Sequence, residues 1–114
     1  MLVDLSHVSV QTMHDVLTHS LSPPFFSHSS AYGIYAHERN VPDSVLRRLR
    51  DTDGVVMINF YKGFVTGEGE CDVDIVAKHV LHVADVAGWR YVPTITSLPY
   101  YSLALWAYVV WDSG

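Results

Sequence analysis

Apolar positions along the first 88 residues switch repeatedly between short runs and helical spacing. Met1, Leu2, Val3 and Leu5 predict a short strand, with Ser6-His7 at its carboxyl end. Ser9 is placed to cap a helix whose apolar face is Val10, Met13, Val16 and Leu17. Pro23-Pro24 ends that unit, and Phe25-Phe26 predicts a second strand that finishes at Ser27-His28. A loop from Ser29 to Val41 follows. Pro42 and Asp43 then open a helix, with proline in the first turn and an acid near the positive end of the dipole. Val45, Leu46 and Leu49 form its buried face, Arg47, Arg48 and Arg50 suit its carboxyl end, and Asp53-Gly54 breaks it. Val55 to Phe60 is rich in β-branched residues and does not alternate, the pattern of a strand covered on both faces. A glycine-containing loop leads to a helix from about Asp72 to Ala87. Val73, Val76, Ala77, Val80, Val83 and Ala84 fall inside it, and Asp74, Lys78, His82 and Asp85 fall on its wet side.

Short buried strands alternating with amphipathic helices predict an α/β fold with a parallel sheet and right-handed crossovers. An eight-fold barrel of such units takes roughly 250 residues. This chain holds about three, so the expectation is a partial (β/α)8 barrel, the TIM architecture, over residues 1–88. With sheet edges lacking neighbours, such a layer is marginal in isolation. Residues 89–114 form a second, divergent segment that carries all 3 tryptophans and four of the 7 tyrosines. Its uncharged run from Leu98 to Trp111 contains Pro99 and falls short of the roughly 20 apolar residues that span a bilayer. It reads as interfacial or aggregation-prone.

Composition narrows the chemistry. Apolar residues make up 49% and charged residues 17%, the balance of a globular chain. The net charge is −5 and the 7 lysines and arginines form no basic stripe, which excludes nucleic acid as a partner class. Cys71, the single cysteine, permits no internal disulfide, and Glu70 and Asp72 beside it discourage a reactive thiolate.

Seven histidines in a short acidic chain direct attention to metal or acid–base chemistry. His7 and His28 each follow a predicted strand, and in parallel α/β folds the carboxyl ends of strands face the active site. Two imidazoles there can share one zinc ion at about 2.0–2.1 Å; each can equally be an ordinary strand-end histidine bonded to backbone. Ser27 and Ser29, flanking His28, lack the G-x-S-x-G elbow of a serine nucleophile. His79 and His82, three apart, fit a solvated helix face better than a metal site, and His14, His19 and His37 read as surface. Asn59 and Tyr61 end a strand and face the site without an assigned role.

The words MLVDLSHVS, FSHSSAYG, HERNVPDSVLRRL and GVVMINFY closely resemble the membrane (renal) dipeptidase family, zinc peptidases built on a (β/α)8 barrel. The resemblance runs from Met1 to about Gly88, and FSHSSAY followed by RNVPD is a specific combination. It implies that His7 and His28, 21 positions apart in agreement with the family spacing, ligate one zinc of a two-zinc site. It implies that Arg39 contacts the free carboxylate of a dipeptide, because a planar guanidinium offers two parallel hydrogen bonds that lysine cannot copy. The implied reaction is zinc-dependent dipeptide hydrolysis, in which two metal ions acidify a bridging water and polarise the scissile carbonyl. No residue of this chain is assigned as catalytic.

The resemblance also implies parts that these residues do not supply. An H-x-D word, a bridging glutamate and a substrate-contacting histidine belong upstream of Met1. A G-x-D-F-D-G-like word belongs downstream of the last helix, where the chain reads GWRYVPTITSLPYYSLALW. Two of five ligand positions cannot hold a binuclear centre, so the chain alone is expected to be inactive, a truncated or mis-spliced product with an unrelated tail. The alternative is a non-catalytic remnant, or an interaction module pairing its open edges with another chain. For the complete family protein the resemblance implies a homodimer, and a GPI-anchored place on the extracellular side of the plasma membrane. The amino end shows no secretory signal, and no anchor signal is recognisable.

Overall fold

The computed structural model describes residues 1–88, and the expectations for residues 89–114 lie outside the described residues. The elements run α1 (Val10–His19), β1 (Phe25–Phe26), α2 (Asp43–Asp51), β2 (Val55–Val56), α3 (Lys62–Val65) and α4 (Val73–Ala87). Strand–helix alternation around a parallel pair makes the fold α/β, as expected.

The helix ends follow local chemistry. Ser9 caps α1 by accepting the Thr12 N–H at 3.2 Å, and the Asp72 carboxylate caps α4 by accepting the Ile75 N–H at 2.9 Å. Pro42 is the N-cap of α2 rather than a residue of its first turn, and Asp43 takes the first helical position. Val10 and Val73, expected inside, are exposed because a first-turn side chain overhangs the end of the layer beneath it.

β1 and β2 pair in parallel, with Phe25 opposite Val55 and Phe26 opposite Val56. The expected amino-terminal strand contracts to a parallel bridge between Asp4 and Phe25. Backbone bonds from Leu5 N–H to the Phe25 carbonyl and from Phe25 N–H to the Val3 carbonyl flank that bridge. Met1 and Leu2 are fully exposed and take no part. The predicted strand from Val55 to Phe60 is also shorter than expected and is not covered on both faces. Val56 and Ile58 are completely buried, whereas Val55, Met57 and Phe60 are half-buried. The run continues to guide the chain beyond its paired residues, since the Met57 carbonyl accepts the Ser29 N–H at 3.0 Å. Gly54 enters β2 at a close approach: a Cβ there would collide with Leu49 and the Pro24 carbonyl.

Helices α1 and α4 pack on α2, and the core joins Leu5, Phe26, Val56 and Ile58 to Met13, Leu46, Leu49, Val80 and Val83. Histidines expected on the surface tie these layers together. Arg48 donates to the Nδ1 and backbone carbonyl of His14 and to Thr18, which pins α1 to α2. His82 bonds Asp43 at 2.7 Å and fastens α4 to the first turn of α2. His79 departs furthest from expectation: it is completely buried, with no solvated face. Its Nδ1 accepts the Ala31 N–H at 3.0 Å, so its Nε2–H donates to the Val65 carbonyl at 2.9 Å. Burial lowers its pKa, outweighing the bond to Val65, and the ring is held neutral in one tautomer.

Candidate metal and substrate site

The carboxyl ends of the paired segments deliver His7 and His28 to one place. After Leu5 the chain turns sharply, and His7 has φ of 75°, in the left-handed region that residues other than glycine seldom occupy. Such a backbone costs on the order of 1 kcal/mol or more and is a mark of functional sites. Here it directs the His7 ring across to His28. The two Nε2 atoms lie 2.7 Å apart, with the rings edge to face at a centroid distance of 4.8 Å.

Arg39 reaches the same point from the loop that precedes α2. Its Nη2 donates to His7 Nε2 at 2.8 Å. Its guanidinium lies over Phe64, 4.7 Å from the ring centroid, a cation–π arrangement that fixes the plane of the group. Phe64 comes from α3, a single turn of helix that sequence periodicity could not announce. Asn40 secures this bed by donating to the carbonyls of Tyr35 and Phe64. Arg39 Nε is buried and has no hydrogen-bond partner among the described residues. His7, His28, Arg39 and Phe64, with Asn59, Phe60 and Tyr61, line an open cleft of about 580 Å³. Asn59 and Tyr61 thus face the site as expected.

Beneath the histidines is a polar layer that the sequence did not single out. The Asp4 carboxylate accepts the backbone N–H groups of Ser6 and Ser27 on Oδ1 and the Ser27 hydroxyl on Oδ2. Ser27 Oγ in turn lies 2.6 Å from His28 Nδ1. The His28 N–H donates to Ser6 Oγ, which also pairs with Ser29 Oγ. Burial raises the Asp4 pKa, but the hydrogen bonds from Ser27 and Ser6 outweigh it and hold the carboxyl below its ordinary value. Desolvation, Arg39 and His28 together lower the His7 pKa, which favours the neutral ring that a metal requires. Only tertiary structure joins Asp4 to Ser27, so no local spacing could reveal the layer.

The donor set suits a borderline-soft divalent cation. Two imidazoles converge through Nε2, and the far nitrogen of His28 is tied back to the protein. Among the described residues no third His, Cys, Asp or Glu joins them to complete a metal cage. None of the described helices is long and apolar enough to cross a membrane.

The chain is similar to known proteins in both sequence and structure. A family model described as membrane dipeptidase, peptidase family M19, matches residues 1–97. An uncharacterized dipeptidase of Schizosaccharomyces pombe is 54% identical over 89 residues, covering 77% of this chain and 22% of the relative. A second from the same yeast is 52% identical over 94 residues, covering 81% and 23%. The chain therefore spans less than a quarter of the length of these relatives. Among solved structures, a metallopeptidase of Rhodobacter sphaeroides liganded with a phosphinate mimic of the dipeptide L-Ala-D-Ala superposes with a TM-score of 0.80 at 25% identity. That match covers 97% of this chain and 36% of the other. Dipeptidase AC, a metallopeptidase of family M19, gives a TM-score of 0.79 at 25% identity over 97% and 37%. With the family model matching most of the chain and two relatives above half identity, this chain belongs to the membrane dipeptidase family, peptidase family M19.

Proposed function

We propose that these residues form part of the active site of a zinc-dependent dipeptidase, and that residues 1–88 are about three βα units of its (β/α)8 barrel. The observation that carries the proposal is the convergence of His7 Nε2 and His28 Nε2 at 2.7 Å, beside the Arg39 guanidinium, in one cleft at the strand ends. His7 and His28 would hold one zinc ion through Nε2. When bound, zinc supplies Lewis acidity and a nucleophile at neutral pH. The protein holds the rings and orients the substrate.

Arg39 has the orientation role. Its Nε and Nη2 share one edge of the guanidinium; Nη2 already points into the cleft, and Nε is buried without a partner among the described residues. A buried donor left unpaired costs about 1–3 kcal/mol, and a dipeptide carboxylate would satisfy it with two parallel bonds. Phe64 supports the guanidinium from one face, with the Arg39 Cζ 4.7 Å from the ring centroid.

Two imidazoles are half of a tetrahedral shell. The isolated chain should therefore bind zinc weakly and hydrolyse no dipeptide, as zinc content after dialysis and a dipeptide assay would show. Tight retention of two zinc ions, or turnover abolished by a chelator, would contradict this. The substrate role is tested in a complete family barrel carrying residues 1–88. Arg39→Lys should retain zinc yet lower kcat/KM by about ten- to a hundredfold, the loss of a charge-assisted bond worth roughly 1.5–3 kcal/mol. A dipeptide with an amidated carboxyl end should be little affected. Equal losses on both substrates would remove Arg39 from the carboxylate.

A further inference from the structure

We infer that Asp4 and Ser27 act as a relay that fixes the tautomer of His28, leaving its Nε2 lone pair bare and aimed into the cleft. They are positioning residues, and the inference rests on the reading of His28 as a metal ligand given above.

The argument is a count of protons. An ionised Asp4 carboxylate only accepts hydrogen bonds. Its Oδ1 takes the N–H groups of Ser6 and Ser27, so its Oδ2, 2.6 Å from Ser27 Oγ, takes the hydroxyl proton of Ser27. A serine hydroxyl has one proton to give. At 2.6 Å from His28 Nδ1, the same oxygen must therefore accept from Nδ1–H. The neutral imidazole carries only that proton, which leaves Nε2 unprotonated.

The opposite ring reaches the same state by another route. A guanidinium cannot accept, so Arg39 Nη2 donates to His7 Nε2, and that nitrogen is unprotonated as well, its lone pair engaged by Arg39 until a cation displaces the bond. Two unprotonated nitrogens thus face each other at 2.7 Å, an arrangement that favours a cation in their shared space. The Ser6 hydroxyl, which accepts the His28 N–H, steadies the backbone but does not touch the ring. The choice between the two ring nitrogens of His28 belongs to Ser27, and the direction of the Ser27 hydroxyl belongs to Asp4.

Asp4→Asn inverts the relay without changing its shape. The two backbone N–H groups keep the carboxamide oxygen at the Oδ1 position, so its NH2 group faces Ser27 Oγ and donates. The Ser27 hydroxyl must then turn and donate to His28 Nδ1, which drives the ring proton to Nε2.

The test is nitrogen-15 NMR of the histidine rings in the metal-free 114-residue chain, followed by zinc titration of the same samples. His28 should be the Nδ1–H tautomer in the parent and the Nε2–H tautomer in Asp4→Asn. Ser27→Ala should give a mixture, and Ser27→Thr should restore the parent form. Zinc affinity should fall about tenfold or more in Asp4→Asn, the usual scale for a group that supports a ligand, and stay at the parent level in Ser27→Thr. An Nε2–H ring in the parent, or a tautomer indifferent to Asp4→Asn and Ser27→Ala alike, overturns the relay. A relay that behaves as stated while Asp4→Asn leaves the weak zinc affinity of the parent unchanged would instead remove His28 from the metal.

Discussion

Replacing His28 by alanine in a complete family barrel that carries residues 1–88 is expected to remove both bound zinc and dipeptide hydrolysis. The imidazole is brought to the cleft by three separate restraints. These are the β1 ladder, the bond from its N–H to Ser6 Oγ, and the contact of Nδ1 with Ser27. Alanine keeps the backbone restraint and removes only the ring, so the fold should persist. Under the proposed ligand role, what disappears is one nitrogen donor to the metal and, with it, several kcal/mol of transition-state stabilisation. At about 1.4 kcal/mol per tenfold, kcat should fall by about a thousandfold or more. Zinc content after dialysis, measured beside activity and thermal unfolding, separates the outcomes. Full zinc occupancy in His28→Ala would contradict the ligand role, whereas Arg39→Lys should keep its zinc and lose mainly substrate affinity.

The second large effect concerns stability and lies away from the chemistry. His79→Leu keeps roughly the volume of the side chain but strips partners from the Ala31 N–H and the Val65 carbonyl. Each buried backbone group left unpaired costs about 1–3 kcal/mol, so the variant should lose roughly 2–6 kcal/mol. That is a large fraction of the margin of a small domain. The loss should also change shape with pH. The folded-state pKa of His79 is depressed by burial, so below about 6.5 the unfolded chain takes up a proton that the folded chain does not. The stability contributed by the neutral ring is fully present above that pH and declines as pH falls toward the folded pKa. Denaturant melts of both proteins between pH 5 and 8 should show the parent losing stability on the acid side more steeply than His79→Leu. Parallel curves would mean that the ring is not held neutral.

Much of the frame was legible because it is local. The caps Ser9 and Asp72 and the apolar spacing of Met13, Leu17, Val45, Leu46, Leu49, Val80 and Val83 carry their own signals. His7, His28 and Arg39 stood out through the words around them, and the structure brings all three into one cleft. His79 was misread although its spacing was informative: it sits three after Val76 and four before Val83, both on the buried face. The polarity of the ring argued for solvent, and only its two backbone partners reverse that argument. The single turn of α3 is too short to show a period, and the tie between Asp4 and Ser27 exists only once the Val3–Leu5 segment lies beside β1.

The left-handed backbone at His7 sets stability against chemistry at that position. A position with φ of 75° is one where glycine or asparagine would sit more comfortably than histidine. Histidine there carries a small backbone cost, so under the proposed ligand role His7→Gly should relieve that cost while removing a donor from the cleft.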